Sequence, residues 1–149
     1  MPNIVVKIPT GVFDADTRAR LVAGINNAAA HAERIPNDPK KRFLCWVLIE
    51  EVAAGGWTCG GADATAAVIP IMIVAHLPSG VLDAEMRAQY VAGIHLAVTA
   101  ALSAEKRRIA TSCILNEVAD GTWGVNGDIW RLPDFAVHAG FEHLQNLVR

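Results

Sequence analysis

The stretch Pro9-Thr10-Gly11-Val12-Phe13-Asp14-Ala15 occurs a second time, 69 residues later, as Pro78-Ser79-Gly80-Val81-Leu82-Asp83-Ala84. Eleven of the seventeen positions from 9 to 25 are identical to their counterparts from 78 to 94. Self-similarity at a fixed offset indicates repeated structural units. We therefore predict a single domain over residues 1–149 that contains two repeats, residues 2–61 and 70–127. Residues 128–149 have no counterpart and form a C-terminal extension.

Each repeat shows the same order of secondary-structure signals. Short β-branched runs at 4–8 and 71–77 predict strands, and further apolar runs at 43–49 and 109–115 predict a second strand in each repeat. Asp14 and Asp83 are suitable N-caps for the helices that follow. Strand, helix and strand in this order predict a β-α-β unit with parallel strands. The predicted fold class is α/β (α+β), with two tandem β-α-β units forming a four-stranded sheet that has both helices on one face.

Three packing predictions follow from this arrangement. The sheet face without helices is apolar, so we expect other subunits to cover it. Gly24 and Gly93 lie inside the helices, where we expect close helix–sheet packing to explain them. Pro133-Asp134 and the apolar residues after them predict a short helix in the extension that packs on a neighbour, either an element of this chain or another subunit.

Composition excludes several classes of function. The chain has 149 residues, 52% of them hydrophobic and 19% charged, with a net charge of −2, which gives no electrostatic case for nucleic acid. Its first residues lack the basic region and long apolar core of a signal peptide, so we expect none, and no apolar run is long enough to span a membrane. Its three cysteines fit no zinc pattern and predict reduced thiols in the cytoplasm. No His pair has ligand spacing, so we expect no metal.

The first residues carry a chemical signal of their own. Pro2 is small enough that Met1 should be removed, which would leave a proline with a free secondary amine at the N-terminus. Burial in an apolar site lowers the pKa of an amine toward neutrality, where a general base works best. Pro2 is alternatively just a residue that starts a strand.

Together, these features resemble the 4-oxalocrotonate tautomerase branch of the tautomerase superfamily, over residues 2–61 and 70–127. That branch has an N-terminal proline, a strand, a glycine, a capped helix, a strand ending in an acid, and a glycine–aromatic turn. The first repeat matches with Pro2, Gly11, Asp14, Glu51 and Gly56-Trp57-Thr58-Cys59-Gly60-Gly61. The second repeat matches with Pro70, Gly80, Asp83, Glu117 and Thr122-Trp123-Gly124-Val125-Asn126-Gly127.

The resemblance implies homotrimers of fused chains, no metal, no cofactor and an N-terminal proline that acts as general base on 2-oxo acids. By the same resemblance, Pro2 is the base and Trp57 is the aromatic residue of the pocket wall. Pro70 corresponds to Pro2 but lies inside the chain and has no free amine. The branch's two carboxylate-binding arginines are missing, because Val12 and Trp46 occupy their positions.

Four further side chains are candidates for the substrate site or for plain structural roles. Arg34 lies where the macrophage migration inhibitory factor branch has a pocket cation, and His31 lies two residues from a dehalogenase histidine. For both, the structural explanation of a cation at a helix C-terminus is favoured over a role in the pocket. Trp46 is either a pocket wall or a core or interface residue. The fourth is one unspecified member of the basic runs Lys40-Lys41-Arg42 and Lys106-Arg107-Arg108, which are either solvated or have one member that reaches into a neighbouring subunit's pocket.

We therefore predict a cofactor-independent tautomerase-like isomerase that acts on a small carbonyl or 2-oxo acid substrate. Its alternatives are a related proline-based dehalogenase, hydratase or decarboxylase of an unsaturated acid, or a trimeric family member without catalysis. The missing arginines predict weak activity on dicarboxylates.

Overall fold

A computed structural model describes residues 2–148 and contains a four-stranded sheet in the order β2-β1-β3-β4. The four strands are β1 (Asn3–Pro9), β2 (Trp46–Val52), β3 (Val68–Pro78) and β4 (Arg108–Val118). The helices are α1 (Ala15–Ala32), α2 (Pro39–Arg42), α3 (Ala84–Ala101) and α4 (Leu132–Ala139). A small hairpin of β5 (Trp123–Val125) and β6 (Asp128–Trp130) and a 3-10 helix at Glu142–Leu147 complete the chain.

The sheet has the predicted pairing within each repeat. β1 is parallel to β2 and β3 is parallel to β4, whereas β1 and β3 meet antiparallel at the centre, with Asn3 opposite His76 and Lys7 opposite Met72. The start of β1 therefore lies at the same end of the sheet as the end of β3. The predicted fold class is confirmed.

Both long helices begin where the sequence predicts. The Asp14 carboxylate accepts a hydrogen bond from the Thr17 amide at 2.7 Å, and the Asp83 carboxylate accepts one from Met86 at 2.8 Å. These bonds satisfy amides that have no partner within the helix. The equivalent caps set α1 and α3 in equivalent positions over the sheet.

The helix glycines have a different role from the predicted one. A Cβ at Gly24 would lie 3.0 Å from the Ala97 Cβ of α3, and a Cβ at Gly93 would lie 3.1 Å from the Ala28 Cβ of α1. The close approach is therefore between the two helices. The prediction of helix–sheet packing at these glycines was wrong, because a β-α-β unit considered alone does not show that its helix faces a copy of itself.

The second strand of the first repeat starts later than predicted. Residues 43–45 do not belong to β2, because Pro39 at the first helical turn and Asp38 as N-cap form α2 just before them. The Asp38 carboxylate accepts a hydrogen bond from the Lys40 amide at 2.9 Å. Phe43 caps α2 instead of opening the strand.

The C-terminal extension packs on its own chain. Phe135 lies between Trp123 and Trp130, with ring centroids 5.3 Å from each. The Lys41 ammonium donates to the Val137 carbonyl at 2.7 Å. The predicted short helix exists as α4, and its buried residues pack within the same chain, while packing on another subunit stays a prediction. Sequence alone does not distinguish these partners.

The sheet face opposite the helices is open. Its middle row contains Leu48, Val5, Val74 and Ile114 side by side, of which Leu48 and Ile114 at the edges are exposed. Uncovered apolar rows of this kind mark interaction surfaces. Between residues 2 and 148, no helix has the length and hydrophobicity needed to cross a membrane.

Candidate active site

Pro2 lies buried immediately before β1. Its carbonyl accepts a hydrogen bond from the Trp46 amide at 3.0 Å, so the residue is held at the end of the β1–β2 ladder. A proline nitrogen has no amide hydrogen to contribute to that ladder. Met1 lies outside the described residues, and its removal stays a prediction.

Trp46 lies next to Pro2 on the open face of the sheet. It pairs with Asn3, and its side chain is 59% exposed. The same row continues through His76 to Asn116, whose side chains are 2.8 Å apart. Trp46 is therefore not a core residue of the isolated chain. A pocket wall or a subunit interface remains as its predicted role.

His31 and Arg34 lie at the same end of the sheet as Pro2, because α1 runs antiparallel to β1 and ends above the strand's first residues. Both line a cavity of about 310 Å³ together with Glu142 of the extension. Arg34 has a φ of 53°, a left-handed conformation uncommon outside glycine. Its carbonyl accepts a hydrogen bond from the Glu142 amide at 3.0 Å, which ties the helix end to the extension.

Trp57 lies at the opposite end of β1. It lines a cavity of about 100 Å³ with Pro9, Val12 and Arg107. A seven-residue strand, at about 3.3 Å per residue, separates this cavity from Pro2 by roughly 20 Å. Within one chain, the structure does not bring Trp57 to Pro2.

Arg107 brings a cation to the end of the sheet that holds Trp57. It forms an ion pair with Glu105 at 2.7 Å and donates to the Thr65 carbonyl at 3.1 Å. The guanidinium interaction lowers the pKa of Glu105 to about 2. Pro70 starts the second repeat at this same end of the sheet, because β3 runs antiparallel to β1. Pro70, the proline at the end of the sheet that holds Trp57 and Arg107, has no free amine.

Trp123, the counterpart of Trp57 in the second repeat, lies at the end of the sheet that holds Pro2. It follows β4, whose last residue Val118 pairs with Pro78, at the end of β3 near Asn3. Sequence reasoning did not predict that the Gly-Trp turn of the second repeat lies at the end of the sheet that holds the proline of the first repeat. The signal that could have shown it is the short connection between repeats, which favours antiparallel contact between their first strands.

A second missed residue is Glu33, which lies between His31 and Arg34 in the sequence. Its exposure is 0%, although it ends α1 as the C-cap. Burial raises the pKa of Glu33, while the positive charge of the chain's amino terminus, the Tyr90 hydroxyl and His143 act in the opposite direction. Sequence spacing alone does not find this cluster, because His143 reaches it only through the folding of the extension.

Two of the three cysteines are poorly suited to nucleophilic chemistry at this site. All three are free, and burial raises the pKa of the Cys45 thiol to about 12 and that of Cys113 to about 11. A thiol needs a lowered pKa to react as thiolate. Among residues 2–148, no group of three or more His, Cys, Asp or Glu side chains is arranged to hold a metal ion.

Two equivalent ion pairs connect helices to strand ends in the repeats. Arg18 binds Glu51, and Arg87 binds Glu117 at 2.9 Å. Each pair joins the first turn of a long helix to the end of the following strand. The two glutamates thus have the same structural contact in both repeats.

Comparison with known proteins finds relatives only through structure. No family model and no curated protein matches the chain. A native fused 4-OT matches with a TM-score of 0.71 and 23% identity, over 85% of this chain and 94% of that one. An asymmetric trimer of a wild-type fused 4-OT gives 0.71 at 19% identity over the same shares. A member of the cis-3-chloroacrylic acid dehalogenase family gives 0.67 at 18% identity, over 85% and 82% of the two chains. The chain has the fold of the fused 4-OT proteins of the tautomerase superfamily, as its sequence predicts.

Proposed function

We propose that this protein is a cofactor-independent tautomerase that uses the amine of Pro2 as a general base. The observation that carries the proposal is the burial of Pro2 at the end of a central strand, in the fold of the fused 4-OT proteins. Only an N-terminal proline has a secondary amine, and a buried amine has its pKa lowered toward neutrality. Its free cysteines fit the cytoplasmic location that we propose with it.

The proposed reaction interconverts an enol and its ketone. The Pro2 nitrogen takes the enol hydroxyl proton, and the carbonyl C=O bond forms. The electron pair of the C=C bond then takes a proton from the prolinium at the neighbouring carbon. Pro2 returns to the neutral amine, so atoms and charge balance without a cofactor.

The surroundings of Pro2 support a substrate with little negative charge. Val81 and Trp46 lie at the Pro2 end, and neither has the guanidinium fork that binds a carboxylate with two hydrogen bonds. Arg34 and His31 supply cations only at the margin, in the cavity beside Glu142. An aromatic or monocarboxylic 2-oxo acid fits this composition better than a dicarboxylate does.

The test is a comparison of two enols. We expect the wild-type protein to convert phenylenolpyruvate to its ketone with a higher kcat/KM than it shows for the dicarboxylate 2-hydroxymuconate. Ultraviolet absorbance of each enol, with a protein-free control, measures both reactions. A protein that converts neither enol would contradict the enzymatic proposal and leave the non-catalytic alternative.

We also propose a homotrimer in which other copies cover the open sheet face. The apolar middle row of that face and the exposed Trp46 support it. Because Leu48 lies in this row, the substitution Leu48→Lys is expected to convert trimers to single chains, measured by light scattering. Leu96→Lys, on the exposed side of α3, is the matched control and should stay trimeric. Single chains in the wild type would contradict the proposal.

A further inference from the structure

We propose that Glu33 is the positioning residue for Pro2, with a carboxylate that stabilises the ammonium formed when Pro2 takes a proton. The inference rests on the proposed role of Pro2 as the base. It adds a residue that the resemblance to tautomerases does not supply. It also assigns a role to a completely buried acid in the described chain.

The backbone places Glu33 above the start of β1. Glu33 ends α1, and its amide donates to the Ala29 carbonyl at 2.9 Å. Since α1 runs antiparallel to β1, its last turn lies over the first residues of the strand. Pro2 is buried at that same place. Because the Glu33 side chain has no exposure, it points into the protein and not to solvent.

The electrostatic surroundings indicate that the amino group is the partner. Burial raises the pKa of Glu33, and the charge and hydrogen bonding of the amino terminus are the first effects that oppose this rise. The same terminal charge acts on the neighbouring thiol of Cys45. Removal of Met1 moves the amine by one residue, at most about 3.8 Å, which keeps it at this end of the strand.

The other groups that face the carboxylate come from three elements. Tyr90 of α3 is buried, and burial together with Glu33 raises its pKa well above the usual value. Cys45, just before β2, has its pKa raised to about 12 by burial. Both therefore stay neutral near pH 7. His143 of the extension is the remaining cation candidate.

The His143 ring is already engaged on one side. Its Nε2 lies 2.8 Å from the Val81 carbonyl oxygen, which only accepts hydrogen bonds. Nε2 therefore carries a proton and donates it to this carbonyl. One ring nitrogen of His143 is thus directed to the Val81 carbonyl and away from Glu33, and the Pro2 amine is the counter-charge that we propose for the carboxylate.

The pairing has a chemical consequence. A base in an apolar pocket forms a cation that the pocket does not solvate. A buried carboxylate near that cation favours its formation, since an opposite charge within about 4–6 Å raises the pKa of an amine by about 1–3 units. Two opposing effects therefore determine the pKa of the Pro2 amine. Burial lowers this pKa, and the Glu33 carboxylate raises it.

The test is a titration of the Pro2 nitrogen by NMR in isotopically labelled, full-length mature protein without substrate. In Glu33→Gln we expect the pKa of the Pro2 amine to fall by about one unit or more relative to wild type. Glu142→Gln is the matched control, because it removes the same charge from an exposed position beside Arg34. It should leave the Pro2 pKa unchanged.

A second measurement, the titration of Glu33 and Pro2 in the wild-type protein, keeps the test decisive if Glu33→Gln does not fold. Two groups that interact strongly titrate in shared steps, so the Glu33 carboxyl carbon and the Pro2 nitrogen should move in the same pH steps. Separate steps, or an unchanged Pro2 pKa in Glu33→Gln, would overturn the inference. A His143 titration that shifts in Glu33→Gln, with Pro2 unaffected, would assign the carboxylate to His143 and also overturn it. The titration needs no turnover, so it fails or succeeds independently of the enol assay.

Discussion

Replacement of Pro2 by alanine is expected to lower kcat/KM for phenylenolpyruvate by about 10²-fold, the lower part of the range for loss of a general base. Alanine is also small enough for Met1 removal, so the variant keeps an amine at the same position. That amine is primary and lacks the ring that fixes its direction. The loss therefore measures the contribution of a rigid secondary amine.

A larger loss is expected when the amine itself is moved. Pro2→Leu should retain Met1, because leucine is bulky, and so place the free amine one residue away. We expect a decrease of up to about 10⁴-fold. Ultraviolet absorbance of the enol gives both rates.

Pro70→Ala is the matched control for both variants. Pro70 is the counterpart of Pro2 in the second repeat, is buried in β3, and has no free amine. Its replacement should leave kcat/KM close to wild type. Equal activity in Pro2→Ala, Pro2→Leu and wild type would contradict a catalytic role for Pro2.

The largest expected effect on stability comes from Phe135→Ala. Phe135 is 2% exposed and packs edge-on against both Trp123 and Trp130. Deletion of a buried phenyl ring costs about 3–5 kcal/mol of unfolding free energy. Since α4 carries this ring, the loss should also loosen the extension over the end of the sheet that holds Pro2. Denaturant unfolding followed by tryptophan fluorescence measures the change.

Val137→Ala on the same helix is the control for that substitution. Val137 is 44% exposed, so the truncation should change the unfolding free energy by about 0.5 kcal/mol or less. A Phe135→Ala protein as stable as the Val137→Ala protein would show that the extension contributes little to the fold.

Local sequence signals predicted the framework of the fold well. Asp14 and Asp83 mark helix starts because their carboxylates bond amides only a few residues away. The strands followed from β-branched runs for the same local reason. Gly24 was misread because its partner, Ala97, lies in the other repeat. The β5–β6 hairpin was not predicted, since each of its strands has only three residues.

The candidate site was less accessible to sequence reasoning. Pro2, Trp46, His31 and Arg34 were placed at one end of the sheet by local order along the first repeat. Trp57 was assigned to the pocket wall by the family resemblance, yet it lies about one strand length from Pro2 within the chain. The antiparallel contact of β1 with β3 decides which Gly-Trp turn faces which proline, and the signal for that contact, the connection between the repeats, lies outside both turns.

The burial of Glu33 was also not predictable from the sequence. A glutamate at a helix end is usually solvated, and nothing near it in the sequence indicates otherwise. Its electrostatic surroundings include Tyr90 and also His143, which is 110 residues further along the chain. Tyr90 comes from α3, and only the folded extension brings His143 to this end of the chain.

The titration of the proline nitrogens in wild-type protein tests the central claim most directly. Of the seven prolines, only Pro2 would carry a free amine in the mature chain. We predict one proline nitrogen that titrates, assigned to residue 2, while Pro70 and the others show amide signals that do not change with pH. A Pro2 nitrogen that behaves as an amide at every pH would mean that its amine is blocked, and would contradict the account.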